Sequence, residues 1–493
     1  MKKRLITFVV TVCFAFTAII GRLGYIIFSG KFAVSSTYNS YTLTIDKLYP
    51  TVYDRNFKKL TNKSEGLAAV IRPTEKCLSE LELLFDKTQR SEIIDELRQG
   101  YPVIKRIENY SSCKYIKIFN TKNRHDDNTL AIHLITDCEK LYSDHIGSKT
   151  VNFAIDAIGR LLDGDEGTVL DNNYSSKFGA VLTIDTKIQE TVEAAAEKMN
   201  KGAVVVLDIQ TGDVLASCSK PNDYLNRAFN PYTVGSVFKL VISACALENK
   251  LNPIYNCEGE ITVGDTVFSC QHKREHGLQT IKEALANSCN CYFINLALAL
   301  GYEKVYKTAE SFGFGESTGL ADAWNVTNGN FPDESELRSK GQLALIGFGQ
   351  GKLTTTPLHF ASVVATIANG GKYISPNVLF GEANGYGEVT RFPAHAAKRI
   401  ISEKTAETLQ EYMRYVVTNG TGSAAEYDNN SAGKTSTAQS GIFVDGKEIL
   451  NTWFAGFYPY NEPRYAIVVM TEDGVSGSSD CCPIFRTIVE NLD

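Results

Sequence analysis

The sequence has no excess of basic residues: 50 Lys and Arg stand against 56 Asp and Glu, a formal net charge of −6. That balance cannot neutralise a run of phosphates, which excludes DNA or RNA binding as the main task. None of the 12 cysteines forms a C-x-x-C pair, so a zinc ribbon is not supported. No repeat of about 20 to 50 residues is visible, and low-complexity linkers rich in Pro or Ser are missing, which removes solenoids and tethered arrays. What is present is a 493-residue chain, 43% hydrophobic and 22% charged, which can bury a sizeable core and is long enough for two or three domains.

Lys2, Lys3 and Arg4 precede an apolar run from Leu5 to Gly21. Seventeen residues give about 26 Å of helix, and if Arg22 snorkels the run reaches Phe28 and about 36 Å, past a hydrocarbon core of about 30 Å. The expectation is a cytoplasmic tail over 1–4 and a single transmembrane anchor over 5–28. The basic cluster holds the N-terminus inside and places the rest outside the cytoplasm. The alternative is a cleaved signal peptide, for which Ala33-Val34-Ser35 is a poor site. Cys13 lies in the run. The other eleven cysteines are odd in number, so in an oxidising compartment at least one stays free or pairs between chains. Cys257 and Cys270 bracket a short loop containing Gly259 and Gly264 and are the candidate disulfide; two reduced thiols are an equal alternative.

Residues 29–175 mix short apolar runs with charged helix-like segments such as Ser79 to Gly100, and nothing chemical stands out there. Near residue 178 the pattern changes. A strand over Ala180 to Ile184 and a helix over Thr186 to Met199 lead into a hairpin, Gly202 to Ile209 with Val214 to Ser219, turning at Thr211-Gly212-Asp213. Helical periodicity follows at Val237 to Glu248, Ile281 to Ala286, Tyr292 to Leu300, Pro357 to Ala368 and Ile401 to Val417. Strand-like runs return at Gly433 to Ala438, Thr452 to Tyr458 and Tyr465 to Thr471. This order predicts one antiparallel sheet interrupted by a helical subdomain, with a cleft where the two meet.

Ser236-Val237-Phe238-Lys239 opens an apolar-periodic helix after Gly235. The three-residue offset puts the Lys239 amine on the face of the Ser236 hydroxyl, and the helix start offers unpaired N–H groups to a developing oxyanion. S-x-x-K alone is a weak pattern, also met at Ser111, Ser217 and Ser431. Two further elements sharpen it: Ser288-Cys289-Asn290 between two helices, and Lys434-Thr435-Ser436-Thr437 at a strand start. In chain order these read S-x-x-K, S-x-N and K-T-x-T, the set found in penicillin-binding proteins and serine β-lactamases.

From about Ala180 to its end the sequence resembles the class B penicillin-binding proteins, peptidoglycan D,D-transpeptidases. Beyond the three motifs, the likeness rests on Gly202 to Asp208, Leu225-Asn226-Arg227-Ala228, Tyr232-Thr233-Val234-Gly235, Cys270, His276-Gly277, Gly349-Gln350-Gly351, Thr356-Pro357, Ala368-Asn369-Gly370-Gly371 and Trp453-Phe454-Ala455-Gly456. Upstream, Val52-Tyr53-Asp54-Arg55-Asn56 is similar to the family's membrane-proximal signature. Three departures stand out. Ser436 replaces the glycine of K-T-G and adds bulk at the substrate edge. Val234 replaces a proline before the nucleophile. Pro50-Thr51 and Phe57 replace an arginine-glycine pair and a later glycine.

The resemblance implies an α/β penicilloyl-serine transferase fold over 176–493, an antiparallel sheet with flanking helices plus a helical subdomain. It also implies an α+β pedestal over 29–175. Ser236 would form the acyl-enzyme on the penultimate D-alanine of a stem peptide. Lys239 would be the general base, kept neutral by burial and a nearby cation, most simply Lys434. Ser288 would relay a proton to the leaving amine and Asn290 would position the lysine and substrate amide. The N–H groups of Ser236 and Thr437 would form an oxyanion hole, each worth roughly 3 kcal/mol. Thr435 and Thr437 would bind the substrate carboxylate beside Ser436. No cofactor or metal is expected. Implied partners are peptidoglycan stem peptides, β-lactams, the membrane and a separate glycan polymerase of the shape, elongation, division and sporulation family, the segment before residue 178 being too short and polar for a glycosyltransferase module.

Competing signals are weaker. His272-Lys273-Arg274-Glu275-His276 matches an inverted zinc-protease motif that needs a helix, yet the stretch is polar throughout. Gly433-Lys434-Thr435 lacks the earlier glycine of a phosphate-binding loop, Asp428 standing there. Glu248-Asn249-Lys250-Leu251-Asn252 has the letters of a β-lactamase deacylation element but precedes Ser288. A membrane-anchored β-lactamase or β-lactam receptor, and a catalytically weak scaffold of a wall-synthesis complex marked by Ser436, are the alternative functions.

Overall fold

A computed structural model describes residues 2–28, 39–126, 128–162, 164–174, 176–316, 320, 324, 326, 329–384 and 388–492. The N-terminal basic-apolar run forms one helix, Lys2–Phe28, with Ile6, Phe8, Phe14 and Ile20 exposed. Its side chains are described without a break from Ile6 to Arg22, and among the described residues no helix is long and apolar enough to cross a membrane. The alternative cleavage site at Ala33-Val34-Ser35 lies outside the described residues.

The chain divides into two compact units. The first comprises 1–48, 64–122 and 147–175. It holds an antiparallel sheet of strands Ser40–Leu48, Gly147–Ala154 and Thr168–Asn172. It also holds strand Ser64–Ile71 paired with Val103–Ile107, and a helix, Lys87–Leu97, with a capping box between Asp86 and Gln89. The second unit comprises 49–63, 123–146 and 176–493. The segment carrying Tyr53-Asp54-Arg55 therefore folds with the C-terminal part of the chain. Asp54 is buried there, its carboxylate accepting from the Asn56 and Lys58 N–H groups and the Thr186 hydroxyl.

The second unit is built on a five-stranded antiparallel sheet. Its strands are β1 (Gly202–Asp208), β2 (Val214–Lys220), β3 (Ala432–Val444), β4 (Lys447–Tyr458) and β5 (Tyr465–Glu472), in the spatial order β2-β1-β5-β4-β3. Alternation along β1 and β5 sorts side chains to two buried faces. Ala203, Val205, Leu207, Ala466, Val468 and Met470 share one core; Val204, Val206, Ile467 and Val469 share another. Helix α4 (Pro357–Ala368) covers the first face, with α1 (Lys239–Glu248) in the same apolar core, while helix Thr186–Ala195 and α6 (Cys482–Glu490) cover the second. The helices inserted between β2 and β3 include α2 (Ile281–Ala286), α3 (Asn290–Leu300) and α5 (Glu403–Asn419). The predicted order, sheet then helical insert then sheet, is the observed one. Strand Gly179–Leu182 differs, joining a separate four-stranded sheet. Closing the insert back onto the sheet leaves β3 at its edge, where alternate N–H groups have no ladder partner and face the helical part.

Candidate active site

Three segments meet at that edge. A 3-10 turn, Gly235–Phe238, runs straight into α1, placing Ser236 one turn before the fully buried Lys239. The second motif is the bend between α2 and α3. Ser288 has a left-handed φ of 53°, and Cys289 caps α3, its Sγ accepting from the Tyr292 N–H at 3.3 Å. The third motif lies on β3, where strand alternation sends Lys434 and Ser436 to one side and Thr435 and Thr437 to the other. Ser236, Ser288, Asn290, Thr435, Ser436 and Thr437 line one cavity of about 740 Å³. Lys239 and Lys434 lie beneath it, both 0% exposed.

The two amines brace the second motif. Lys239 Nζ donates to the Ser288 carbonyl and to Asn290 Oδ1, both at 2.8 Å, and reaches Ser288 Oγ at 3.4 Å. Lys434 Nζ donates to Ser288 Oγ at 3.1 Å and to the Thr435 carbonyl at 2.9 Å. The Ser288 hydroxyl thus sits between two amines. Asn290 Nδ2 donates to the Ser269 carbonyl at 3.1 Å. Among the described residues the Ser236 hydroxyl has no hydrogen-bond partner, so the nucleophile-to-base contact expected from the helical offset is replaced by a Lys239 amine turned toward Ser288 and Asn290.

Burial pushes the Lys239 ammonium down to about 8, with the Cys289, Cys270 and Cys291 thiols acting in the opposite sense. Burial first, and repulsion from Lys239 second, push Lys434 well below its ordinary value. Desolvation therefore leads at Lys239, where a neighbouring cation was expected to be needed too.

Ser436 does not crowd the substrate edge as expected. Its hydroxyl turns inward and donates to the Val234 carbonyl at 2.8 Å, tying β3 to the turn before the nucleophile. Ser436→Gly leaves that carbonyl unsatisfied and frees the strand backbone, and should cost about 1–2 kcal/mol in urea unfolding.

Several partners were not singled out from sequence. Thr421, after α5, shares a hydrogen bond of 2.6 Å with the Thr435 hydroxyl. The Gly477 N–H donates to Thr437 Oγ1 at 3.4 Å. Nothing local marks either residue; both depend on tertiary approach. The candidate disulfide is corrected: Cys257 and Cys270 are free thiols with Sγ atoms 3.7 Å apart, against about 2.05 Å for a bond. Each is drawn to a third group, His276 Nδ1 at 3.5 Å and Cys289 Sγ at 3.7 Å. His272 adopts a left-handed φ of 53° in an exposed turn, so His272 and His276 share no helical face. The Glu248 carboxylate accepts from the Ser402 N–H and hydroxyl, at 2.9 and 2.7 Å, and so serves the start of α5 rather than a deacylating water.

Residues 202–490 match the family model of the penicillin binding protein transpeptidase domain. Stage V sporulation protein D of Bacillus subtilis is 30% identical over 370 residues, 68% of this chain and 56% of that protein. Penicillin-binding protein PbpB of Mycolicibacterium smegmatis is 31% identical over 379 residues, 67% of this chain and 57% of that one. The chain thus spans little more than half the length of these curated relatives. Among solved structures, the D,D-transpeptidase domain of a peptidoglycan glycosyltransferase from Eggerthella lenta superposes with a TM-score of 0.62 at 22% identity, covering 91% of this chain and 98% of that one. A peptidoglycan synthetase from Bifidobacterium adolescentis gives 0.65 at 17% identity, covering 92% and 96%. These likenesses show a shared fold. With the family model matching more than half of it, the chain belongs to the penicillin-binding protein transpeptidase family.

Proposed function

We propose that this chain is a class B peptidoglycan D,D-transpeptidase that cross-links stem peptides through an acyl-enzyme on Ser236 and is acylated there by β-lactams. The observation that carries the reading is the Ser288 hydroxyl held between two buried amines in the cavity that opens onto Ser236.

Ser236 Oγ attacks the carbonyl carbon of the penultimate D-alanine, and its proton passes to neutral Lys239 Nζ. The oxyanion is met by the Ser236 N–H and an edge N–H of β3, that of Thr437. As the C–N bond breaks, the leaving nitrogen takes its proton from Ser288 Oγ, which is replenished by the adjoining amines. Terminal D-alanine departs and leaves the ester. An acceptor amine from a neighbouring stem peptide then attacks the ester carbonyl, gives up its proton along the same relay, and Ser236 is restored. Asn290 holds Lys239 through its Oδ1, and Thr435 and Thr437 present hydroxyls to the substrate carboxylate.

The Lys2–Phe28 helix, with its exposed apolar side chains behind a basic start, supports an anchor in the bacterial cell membrane with the cleft outside the cytoplasm. The first unit would serve as the pedestal, narrower than the expected 29–175 because 49–63 and 123–146 fold into the second unit, and a separate membrane glycan polymerase would supply strands.

Incubation with a fluorescent penicillin tests the reaction. A stable adduct is expected, with mass mapping placing it on the peptide that contains Ser236. No adduct would favour a scaffold, and rapid nitrocefin turnover without retained label a β-lactamase; either outcome overturns the reading.

A further inference from the structure

Four side chains behind the S-x-N bend have no part in the acyl transfer. Cys257 ends the strand Tyr255–Cys257, Cys270 follows the strand Thr266–Ser269, His276 precedes the strand Gly277–Gln279, and Cys289 caps α3. Backbone contacts fix each of them. Cys257 lies opposite Gly277 in an antiparallel pair, and the His276 N–H donates to the Cys257 carbonyl at 3.1 Å. The Cys270 N–H donates to the Gly259 carbonyl, and the Cys289 N–H to the Ala284 carbonyl, both at 2.9 Å.

The donor atoms of all four lie within 4.8 Å of one another. Cys257 Sγ is 3.7 Å from Cys270 Sγ and 3.5 Å from His276 Nδ1, and Cys270 Sγ is 3.7 Å from Cys289 Sγ. Zn–S bonds of about 2.3 Å and Zn–N bonds of about 2.0–2.1 Å in a tetrahedron give donor edges of about 3.8 Å between sulfurs and about 3.6 Å between sulfur and nitrogen. These three spacings match those edges, and the other donor pairs lie within 4.8 Å. Three thiolates and an imidazole suit zinc rather than magnesium or calcium, which take oxygen ligands. Two supporting features of a metal site are also present. The Tyr292 N–H donates to Cys289 Sγ, and Cys270 and His276 line the cleft, so an ion has a way in.

We propose that Cys257, Cys270, His276 and Cys289 bind one zinc ion, which clamps the Ser288–Asn290 bend to the strands behind it. Cys289 stands between the two residues that hold Lys239, and Ser288 is in the left-handed region. Pinning Cys289 fixes that bend, so the site positions the second motif. Cys291, whose Sγ is 3.6 Å from Cys270 Sγ, lies outside the mutually close set of four.

The full chain, purified with a phosphine reductant, loaded with zinc and dialysed against metal-free buffer, is assayed for metal by mass spectrometry. One zinc per chain is expected, falling at least tenfold in Cys257→Ser and in His276→Ala and persisting in Cys291→Ser. Because the ligand variants could misfold, wild type is also stripped with a chelator and refilled with cobalt, which should give the visible bands of tetrahedral thiolate coordination. Less than a tenth of an equivalent of zinc in wild type, undiminished zinc in both ligand variants, or no thiolate-cobalt bands overturns the site. Stripping should slow penicillin labelling at least tenfold, reversibly on adding zinc; unchanged labelling of stripped protein overturns the clamp. Metal content is read without penicillin, so it stands or falls separately from the Ser236 reaction.

Discussion

Lys239→Met should slow acylation by penicillin about a thousandfold while leaving the chain folded. Proton transfer by a placed side chain is worth roughly a hundred- to ten-thousandfold, and Lys239 is the amine one turn from the nucleophile. Methionine fills similar volume in a pocket where Lys239 is 0% exposed, and removes an amine whose ionisation is opposed by burial. The pH profile separates a base from a mere spacer. With its pKa pushed down to about 8, Lys239 is neutral in about one molecule in a hundred at pH 6 and in half at pH 8, so the wild-type labelling rate should rise about fiftyfold between them and level off above. The residual rate of the variant should lack that inflection. Retention of the inflection would assign the proton acceptor elsewhere. The same shift has a stability consequence. A lysine depressed to about 8 in the native state, against an ordinary 10.5, leaves the unfolded chain binding more protons between those values, so this group makes stability rise with pH across that window.

The site was legible where chemistry is written into short spacings, and illegible where it depends on approach between distant segments. Ser236, Ser288 and Lys434 each sit in a motif whose local structure follows from sequence, a helix start, a bend between helices and a strand start, and the fold brings those three places to one cavity. Lys239 was legible as a residue but not in its contacts, because helical offset points to Ser236 while the acceptors that hold the amine come from the next motif. The hairpin of β1 and β2 was readable from alternation around Thr211-Gly212-Asp213. By contrast, β3 runs on to Val444, where Ile442, Phe443 and Val444 are exposed and no buried face marks the strand. Cysteine spacing gave no metal pattern because the four candidate ligands come from four separate segments. His276 drew attention through its pairing with His272, whereas its structural partner is Cys257.

Gly349→Ala should be the most damaging substitution outside the three motifs. Gly349 has a φ of 83°, and a Cβ added there would lie 1.9 Å from the Gly235 carbonyl oxygen, a backbone atom that cannot swing aside. The Gly235 N–H donates to the Gly349 carbonyl at 2.9 Å, so the two glycines hold each other at the entrance to the nucleophile's turn. Alanine would add left-handed strain of roughly 1–2 kcal/mol and force Gly235, and with it Ser236, to move. A displacement of about 1 Å at a reacting group can cost about a hundredfold. Penicillin labelling should therefore fall at least a hundredfold, with a loss of about 3 kcal/mol or more in urea unfolding. Gly351→Ala supplies the comparison: its φ is 85°, but an added Cβ would meet only the Leu345 side chain at 3.4 Å and the Gln342 side chain beyond. That variant should show the strain alone, about 1–2 kcal/mol, and labelling within a few-fold of wild type. If both variants label alike, the contact between Gly349 and Gly235 does not set the position of Ser236.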